Sequence, residues 1–284
     1  RSEVPGMKHL YLNLKRFDVP VEFGGVNRVA PIKDWGAFIV ENTQDALAKY
    51  DRSEVEFAQF FPEAHILGAA AAKKPGSPVK IGCQGVHRAD TAVGGNFGAF
   101  TTLRPASAAK ALGCESVIIG HCEERNFYND TLAEAGVKDP SATNRILNQE
   151  ILRAVERGLN VLYCIGEKSE EQPQWEEVLG KQLDEGLAGV DRRRVVIGYE
   201  PVWSIGPGKT PAGKDYITMI ARFVKERTGG MDVVYGGGLK TDNAEMLASI
   251  DEIDGGLIAL TRFAGEIGWY PDEYLEIIHL YLGK

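Results

Sequence analysis

Eight short apolar segments recur along the chain, each rich in β-branched or aromatic residues and too short to form a helix. In order they are HLYLNLK (9–15), VEFAQFF (55–61), VKIGCQG (79–85), SVIIGH (116–121), NVLYCIG (160–166), RVVIGYE (194–200), DVVYGGG (232–238) and GGLIALT (255–261). Strands that are apolar on both faces are typical of a parallel sheet covered by helices. The pattern therefore predicts eight parallel strands.

The segments between these strands carry apolar residues at helical spacing. The clearest are RILNQEILRAVERG (145–158), DYITMIARFVKERTGG (215–230) and PDEYLEIIHLYLGK (271–284). The first two end on glycine and the third begins on proline, which are common helix stop and start signals. Five further helical segments are predicted at 36–50, 63–74, 105–113, 173–189 and 241–250.

Eight strand–helix units without a break in composition favour one (β/α)8 barrel, the TIM-barrel fold, as a single domain over residues 1–284. A doubly wound open sheet is the alternative, but no GxGxxG motif follows the first strand. Residues 1–6 precede Met7 without an apolar stretch, and we interpret them as an added or disordered start rather than a signal peptide.

Composition excludes several functional classes. The net charge of -8 argues against a nucleic-acid partner, and no apolar run approaches the roughly 20 residues that cross a bilayer. Cys83, Cys114, Cys122 and Cys164 are scattered singly, which predicts reduced thiols in a cytoplasmic protein rather than a disulfide or zinc site.

In a barrel of this kind the functional residues lie where strands end. Lys15, His121 and Glu200 occupy such ends. Glu200 follows an apolar strand and has no basic neighbour in sequence, and burial without a partner makes a carboxylate a stronger base, as proton abstraction requires. The alternatives are a solvated strand end for Lys15, a hydrogen-bonded core imidazole for His121 and a buried salt bridge for Glu200.

Two glycine-rich segments predict a bound anion. YGGGL (235–239) ends the seventh strand with three glycines, whose backbone N–H groups can converge on an anion without interference from a Cβ atom. SIGPGK (204–209) offers further N–H groups and a mobile lid. These features suit proton abstraction next to the carbonyl of a small sugar phosphate, since they combine a base, a neutral or cationic partner, an ammonium group and a phosphate site.

From about residue 10 to the C-terminus the chain carries, in order, the motifs NLK (13–15), GAFT (98–101), IGHCEER (119–125), CIGE (164–167), YEPVWSIGPGK (199–209), YGGGL (235–239) and DGGLIAL (254–260). Through these motifs, which keep the family's order, the chain resembles the triosephosphate isomerase family. The resemblance is weakest around the second strand and second helix.

The resemblance implies roles for individual residues. Glu200 is expected to be the base that moves a proton between two carbons, His121 the neutral electrophile, and Lys15 the substrate-binding cation with Asn13 beside it. It also implies phosphate contacts from Gly206, Gly238, Ala259 and Leu260, supporting positions at Cys122 and Glu123, and a dimer loop in which Thr101 reaches the partner's site. No metal or organic cofactor is implied, and the implied partners are a phosphosugar and a second copy of the chain.

Several positions depart from the family. Cys122 replaces a serine, Glu124 replaces an arginine, Gly85 replaces an interface asparagine, and Gly238 replaces the serine of YGGS. The largest change follows strand eight, where Ala259 and Leu260 stand in place of two glycines and a longer link follows. Within that link Arg262 either binds the phosphate or forms a surface ion pair.

We therefore predict a cytoplasmic, homodimeric isomerase that interconverts the two triose phosphates, as in glycolysis and gluconeogenesis. One alternative is an isomerase for a related phosphosugar, such as erythrulose phosphate. The other is a binding protein that has lost turnover, although a protein that only binds has no need of a base. Loop 93–101 could also fold back on its own barrel instead of contacting a partner.

Overall fold

The computed structural model describes residues 6–206 and 208–284. Eight parallel strands form a closed barrel in chain order. They are β1 (Lys8–Asn13), β2 (Val55–Phe61), β3 (Val79–Cys83), β4 (Ser116–Ile119), β5 (Asn160–Ile165), β6 (Val195–Tyr199), β7 (Val233–Tyr235) and β8 (Gly255–Ile258). The predicted (β/α)8 barrel is confirmed and the open sheet is wrong, because β8 pairs with β1, His9 lying opposite Gly255. The interpretation of the chain start falls mainly on residues 1–5, which lie outside the described residues.

Helices surround the barrel. They are α1 (Ile32–Glu41), α2 (Gln44–Leu47), α3 (Ile66–Ala72), α4 (Ala106–Ala111), α5 (Cys122–Glu134), α6 (Ala142–Glu156), α7 (Trp175–Gly186), α8 (Lys214–Thr228), α9 (Ala244–Ala248) and α10 (Pro271–Leu282). Across the described part of the chain, no helix is both long enough and apolar enough to span a membrane.

The helix α5 was not predicted from the sequence. Helix prediction depends on a stripe of apolar residues, and α5 has none, since the residue that it buries is Arg125. The predicted helix at 36–50 also divides into α1 and α2, separated by a turn at residues 42–43.

The core has two layers. Side chains from alternate strand positions fill the barrel interior, among them Tyr11, Phe60, Leu162 and Leu257. Their neighbours in sequence face outward and pack against the helices, as Leu10 and Phe61 do. Because all strands run in one direction, their carboxyl ends meet on one face, and the polar residues that follow them are brought together there.

Candidate active site

Glu200 follows β6 and is 1% exposed. Its backbone N–H donates to the carbonyl of Ile165 at 2.8 Å, so β5 fixes its position. The glycines of the neighbouring strand ends are needed for this packing. A Cβ on Gly166 would lie 1.9 Å from the carbonyl oxygen of Glu200, and one on Gly236 would lie 2.8 Å from its Cγ.

The carboxylate of Glu200 is only half satisfied. Its Oε1 accepts the backbone N–H of Cys122 at 3.1 Å. Its Oε2 is buried and has no hydrogen-bond partner among the described residues. A buried oxygen without a partner is costly for the fold, which is why such atoms point to a functional role.

His121 lies at the N-terminus of α5 and faces Glu200. Its Nδ1 accepts the backbone N–H of Glu123 at 3.2 Å, so the proton of the neutral ring is on Nε2. That nitrogen lies 3.4 Å from Oε2 of Glu200. A hydrogen-bond donor and a free carboxylate oxygen therefore point into the same space.

Lys15 and Asn13 approach from the end of β1. Asn13 is 4% exposed, and its Oδ1 accepts the backbone N–H of Lys15 at 3.0 Å. The backbone of Lys15 has a φ of 43°, an uncommon conformation for a residue with a side chain. Its ammonium group lies 3.0 Å from Oε1 of Glu123, so Glu123 contacts the site through both backbone and side chain.

Gln84 was missed by the sequence analysis. Its Nε2 donates to the carbonyl of Lys15 at 2.8 Å and lies 3.4 Å from Oδ1 of Asn13, so the strained turn after β1 is held from the end of β3. No local signal identifies such a residue, because its role depends on a contact across about 70 positions of sequence.

Cys122 contributes its backbone rather than its thiol. Burial, and then the nearby charge of Glu200, raise the pKa of the Cys122 thiol. Possible ligand atoms of His121, Cys122 and Glu200 lie within 4.8 Å of one another. Nδ1 of His121 already accepts the N–H of Glu123, and Oε1 of Glu200 that of Cys122, and the two atoms left facing each other suit proton transfer.

Arg125 anchors α5 behind the site. Its guanidinium donates to the carbonyls of Gly120 at 3.1 Å and Cys164 at 3.1 Å, and to Tyr163 Oη at 2.9 Å. Gly120 directly precedes His121, so this cluster sets the direction in which α5 begins. Glu124 turns inward as well and accepts the N–H of Gly120 at 2.7 Å, and burial raises its pKa.

A second buried carboxylate lies under the start of the lid. Glu167 accepts hydrogen bonds from Tyr199 Oη at 2.8 Å and Tyr216 Oη at 3.0 Å. Burial raises the pKa of Glu167 despite these donors. Tyr216 also packs edge to face against Trp203, in the 3-10 turn Val202–Ser204 that opens the lid loop.

The predicted phosphate residues lie on three neighbouring loops. Gly206 is exposed on the lid loop with a φ of 113°, and Gly238 is half-buried with a φ of 105°. Ala259 and Leu260 follow β8 and are half-buried. Residue 207 of the lid lies outside the described residues.

The proposed convergence of all three glycines after β7 is wrong in part. Gly236 donates its N–H to the carbonyl of Tyr199 at 2.6 Å, so that group is not free for an anion. A Cβ on Gly237 would lie 2.4 Å from Tyr235 Oη. Close packing therefore explains the first two glycines, whereas the positive φ of Gly238 requires glycine for its backbone.

Comparison with known proteins identifies the family of this chain. The sequence model of the triosephosphate isomerase family matches residues 36–279. The chain belongs to the triosephosphate isomerase family. Relatives with that name include proteins from Prosthecochloris aestuarii (33% identical, covering 72% of this chain and 77% of the relative) and Alkaliphilus oremlandii (31% identical, 80% and 87%).

The fold of a family member has also been solved. The triosephosphate isomerase from Bartonella henselae superposes with a TM-score of 0.71, covering 97% of this chain and 99% of that one at 23% identity. The family match begins after Asn13 and Lys15. These two residues are instead placed at the site by the closed barrel, in which β1 pairs with β8.

The loop after β8 is held by contacts with the start of α10. Arg262 and Gly268 pair in a short antiparallel bridge. The Arg262 guanidinium donates to Oε2 of Glu273 at 3.1 Å and stacks 3.8 Å from the ring centre of Tyr270. Of the two alternatives for Arg262, the structure therefore favours the ion pair over phosphate binding.

The predicted dimer loop is exposed in the single chain. Phe97 is 92% exposed, Thr101 is exposed, and Phe100 is half-buried 5.3 Å from His87. Four residues with side chains have a positive φ in this loop, namely Asn96, Phe97, Phe100 and Thr102. A conformation this strained requires contacts that over-determine it.

Proposed function

We propose that this protein interconverts dihydroxyacetone phosphate and glyceraldehyde 3-phosphate through an enediolate. The observation that carries the proposal is the unbonded Oε2 of Glu200, 3.4 Å from Nε2 of His121, at the ends of barrel strands in a member of the triosephosphate isomerase family. We also propose that the chain acts as one barrel domain in the cytoplasm, where its four free thiols would stay reduced.

In this proposal Glu200 takes a proton from the carbon next to the carbonyl and returns it to the neighbouring carbon. The Nε2–H of His121 donates to the carbonyl oxygen as negative charge develops there. The ammonium of Lys15 balances the enediolate. Asn13 and Gln84 hold Lys15 in place, and the N–H of Cys122 fixes Oε1 of Glu200 so that Oε2 faces the substrate.

The amides of Gly206, Gly238, Ala259 and Leu260 are proposed to bind the phosphate. Closure of the lid loop over the substrate would exclude water, which strengthens the hydrogen bonds to the enediolate and prevents phosphate loss.

The test is a coupled assay that compares glyceraldehyde 3-phosphate with erythrulose phosphate. We expect kcat/KM for the triose phosphate to be at least about tenfold higher, because the tetrulose carries an extra carbon that a site shaped for the smaller sugar has to accommodate. The Glu200→Gln variant, purified in parallel, controls for contaminating host isomerase. A higher kcat/KM for erythrulose phosphate would show that the protein is an isomerase of that sugar. Absence of turnover with both substrates would favour a binding protein.

We further propose a homodimer, or a multiple of it, in which Thr101 approaches the partner's site. Support comes from the exposure of Phe97 and from a cavity of about 610 Å³ beneath the loop, lined in part by Ala99, Phe100 and Thr102. Sedimentation at micromolar concentration should give twice the mass of the 31.0 kDa chain. A single monomeric species would contradict the proposal.

A further inference from the structure

The space beside Gly238 is occupied by Lys240. If Gly238 carried a Cβ atom, that atom would lie 3.2 Å from Cε and 4.0 Å from Nζ of Lys240. The glycine thus leaves room for the lysine side chain to fold back along the loop after β7. The ammonium group lies beside the backbone that is proposed to bind the phosphate.

Both ends of Lys240 are held. Its backbone N–H donates to Oδ1 of Asn243 at 2.8 Å, and Nδ2 of Asn243 donates to the carbonyl of Gly238 at 2.8 Å. Its ammonium lies 4.5 Å from the centre of the Phe263 ring. Phe263 belongs to the loop after β8, which the ion pair between Arg262 and Glu273 fixes to α10. The loop after β8 therefore holds the aromatic ring against which the Lys240 ammonium lies.

The charge of Lys240 is not neutralised by a carboxylate. Within residues 6–206 and 208–284 its ammonium forms neither a salt bridge nor a hydrogen bond. The charge of Lys15, by contrast, is already opposed by Glu123. A phosphate monoester carries close to two negative charges at neutral pH, so a second cation beside the amide donors lowers the cost of binding it in a site that also holds the carboxylates of Glu123 and Glu200.

We propose that Lys240 is a phosphate-binding residue, that its ammonium contacts the substrate phosphate beside the amide of Gly238, and that Phe263 positions it. The inference rests on the proposed function, in that the ligand is a phosphorylated substrate. It also gives Phe263, and with it the loop after β8, a part in substrate binding.

Titration calorimetry with 2-phosphoglycolate and with inorganic phosphate tests the inference. Lys240→Met should weaken binding of both by about 10- to 100-fold, the range for a hydrogen bond to a charged group. Lys240→Arg should stay within about threefold of the original protein, since the charge and the contact with Phe263 remain. Phe263→Ala should weaken binding by about two- to fivefold.

Lys181→Met is the matched control. Lys181 is an exposed α7 lysine paired with Glu177, and its loss changes the net charge by the same amount. Binding should then change less than twofold. Thermal unfolding of each variant detects a folding defect, and Lys240→Gln is a second removal of the charge.

Turnover separates this inference from the proposed function. If Lys240 binds phosphate, Lys240→Met should raise KM for glyceraldehyde 3-phosphate but leave turnover of phosphate-free glyceraldehyde unchanged. The inference is overturned if Lys240→Met binds phosphate within twofold of the unaltered protein, or if the unaltered protein binds no phosphate. Either result counts even if the isomerase is active. If Lys240→Met loses phosphate binding but the unaltered protein has no isomerase activity, the phosphate-binding role of Lys240 is supported and the proposed function is contradicted.

Discussion

Glu200 combines near-complete burial with a carboxylate oxygen that no described residue satisfies. Three backbones hold it, since Ile165 fixes its N–H, Cys122 its Oε1 and Gly236 its side-chain stem. Such a group is placed with a precision that a shorter side chain cannot reproduce.

We predict that Glu200→Asp lowers kcat by a factor of about 10² or more, because withdrawal of the carboxylate by one methylene misplaces the base. Affinity for inorganic phosphate should be nearly unchanged. Steady-state kinetics and calorimetry check both values, with Glu177→Asp on the exposed face of α7 as the control. Full activity in Glu200→Asp would exclude Glu200 as the base.

Arg262 provides the opposite case, a charged residue near the site whose partner lies elsewhere. Because its guanidinium pairs with Glu273 and stacks on Tyr270, Arg262→Ala should change the binding free energy of 2-phosphoglycolate by less than about 0.5 kcal/mol. The free energy of unfolding should fall by about 1 kcal/mol or less, as for other partly exposed ion pairs. Calorimetry and urea denaturation measure the two effects. A loss of about 1.5 kcal/mol or more in binding would restore the phosphate role.

At the scale of elements, α5 links the stability of the fold to the site. Its first turn supplies the N–H groups that fix His121 and Glu200, and its direction depends on the buried Arg125.

Removal of the Arg125 side chain should therefore lower both the stability of the fold and the activity of the site. Arg125→Ala leaves the carbonyls of Gly120 and Cys164 without their donor, and we expect a loss of about 3 kcal/mol in the free energy of unfolding. At temperatures where the variant stays folded, kcat should fall more than KM changes. Arg145→Ala, which removes an exposed ion pair with Asp139, should cost under about 1 kcal/mol and leave kcat intact. An effect of Arg125→Ala as small as this control would refute the anchoring role.

At the scale of the whole molecule, the barrel is also tied at the end opposite the site. His9 of β1 lies 2.6 Å from Glu56 of β2 and 2.7 Å from Asp232, which precedes β7. Burial opposes the charge on His9, but the hydrogen bonds to Asp232 and Glu56 outweigh it and raise its pKa to about 9. Burial likewise opposes the charge on Glu56, and His9 and Lys80 lower its pKa to about 2.

The pH dependence of stability follows from these shifts. A folded-state pKa above the unfolded value of 6.5 means that the stabilisation by His9 is complete below pH 6.5 and is lost as the pH rises through about 9. Between pH 6 and 9.5 the free energy of unfolding of the protein should fall by about 2–3 kcal/mol more than that of the His9→Gln variant. Urea denaturation across this range measures the difference, and parallel curves for the two proteins would contradict the prediction. The stabilisation by Glu56 should be lost at the acid end, as the pH falls from 4.5 towards about 2.

The sequence by itself determined the barrel and the positions of Lys15, His121 and Glu200, because both depend on local pattern. Eight apolar strands with polar residues at their ends are visible one segment at a time, and parallel strands bring those ends to one face. Family motifs supplied the expected role of each residue, and these were readable because the motifs are contiguous.

Tertiary structure decided what depends on contacts between distant segments. The helix α5 has no apolar stripe and is held by Arg125 against residues up to 39 positions away, so no local signal could predict it. The proton on Nε2 of His121, the ion pair of Arg262, the packing of Gly236 against Glu200 and the position of Lys240 beside Phe263 likewise follow from partners that only the folded chain brings together.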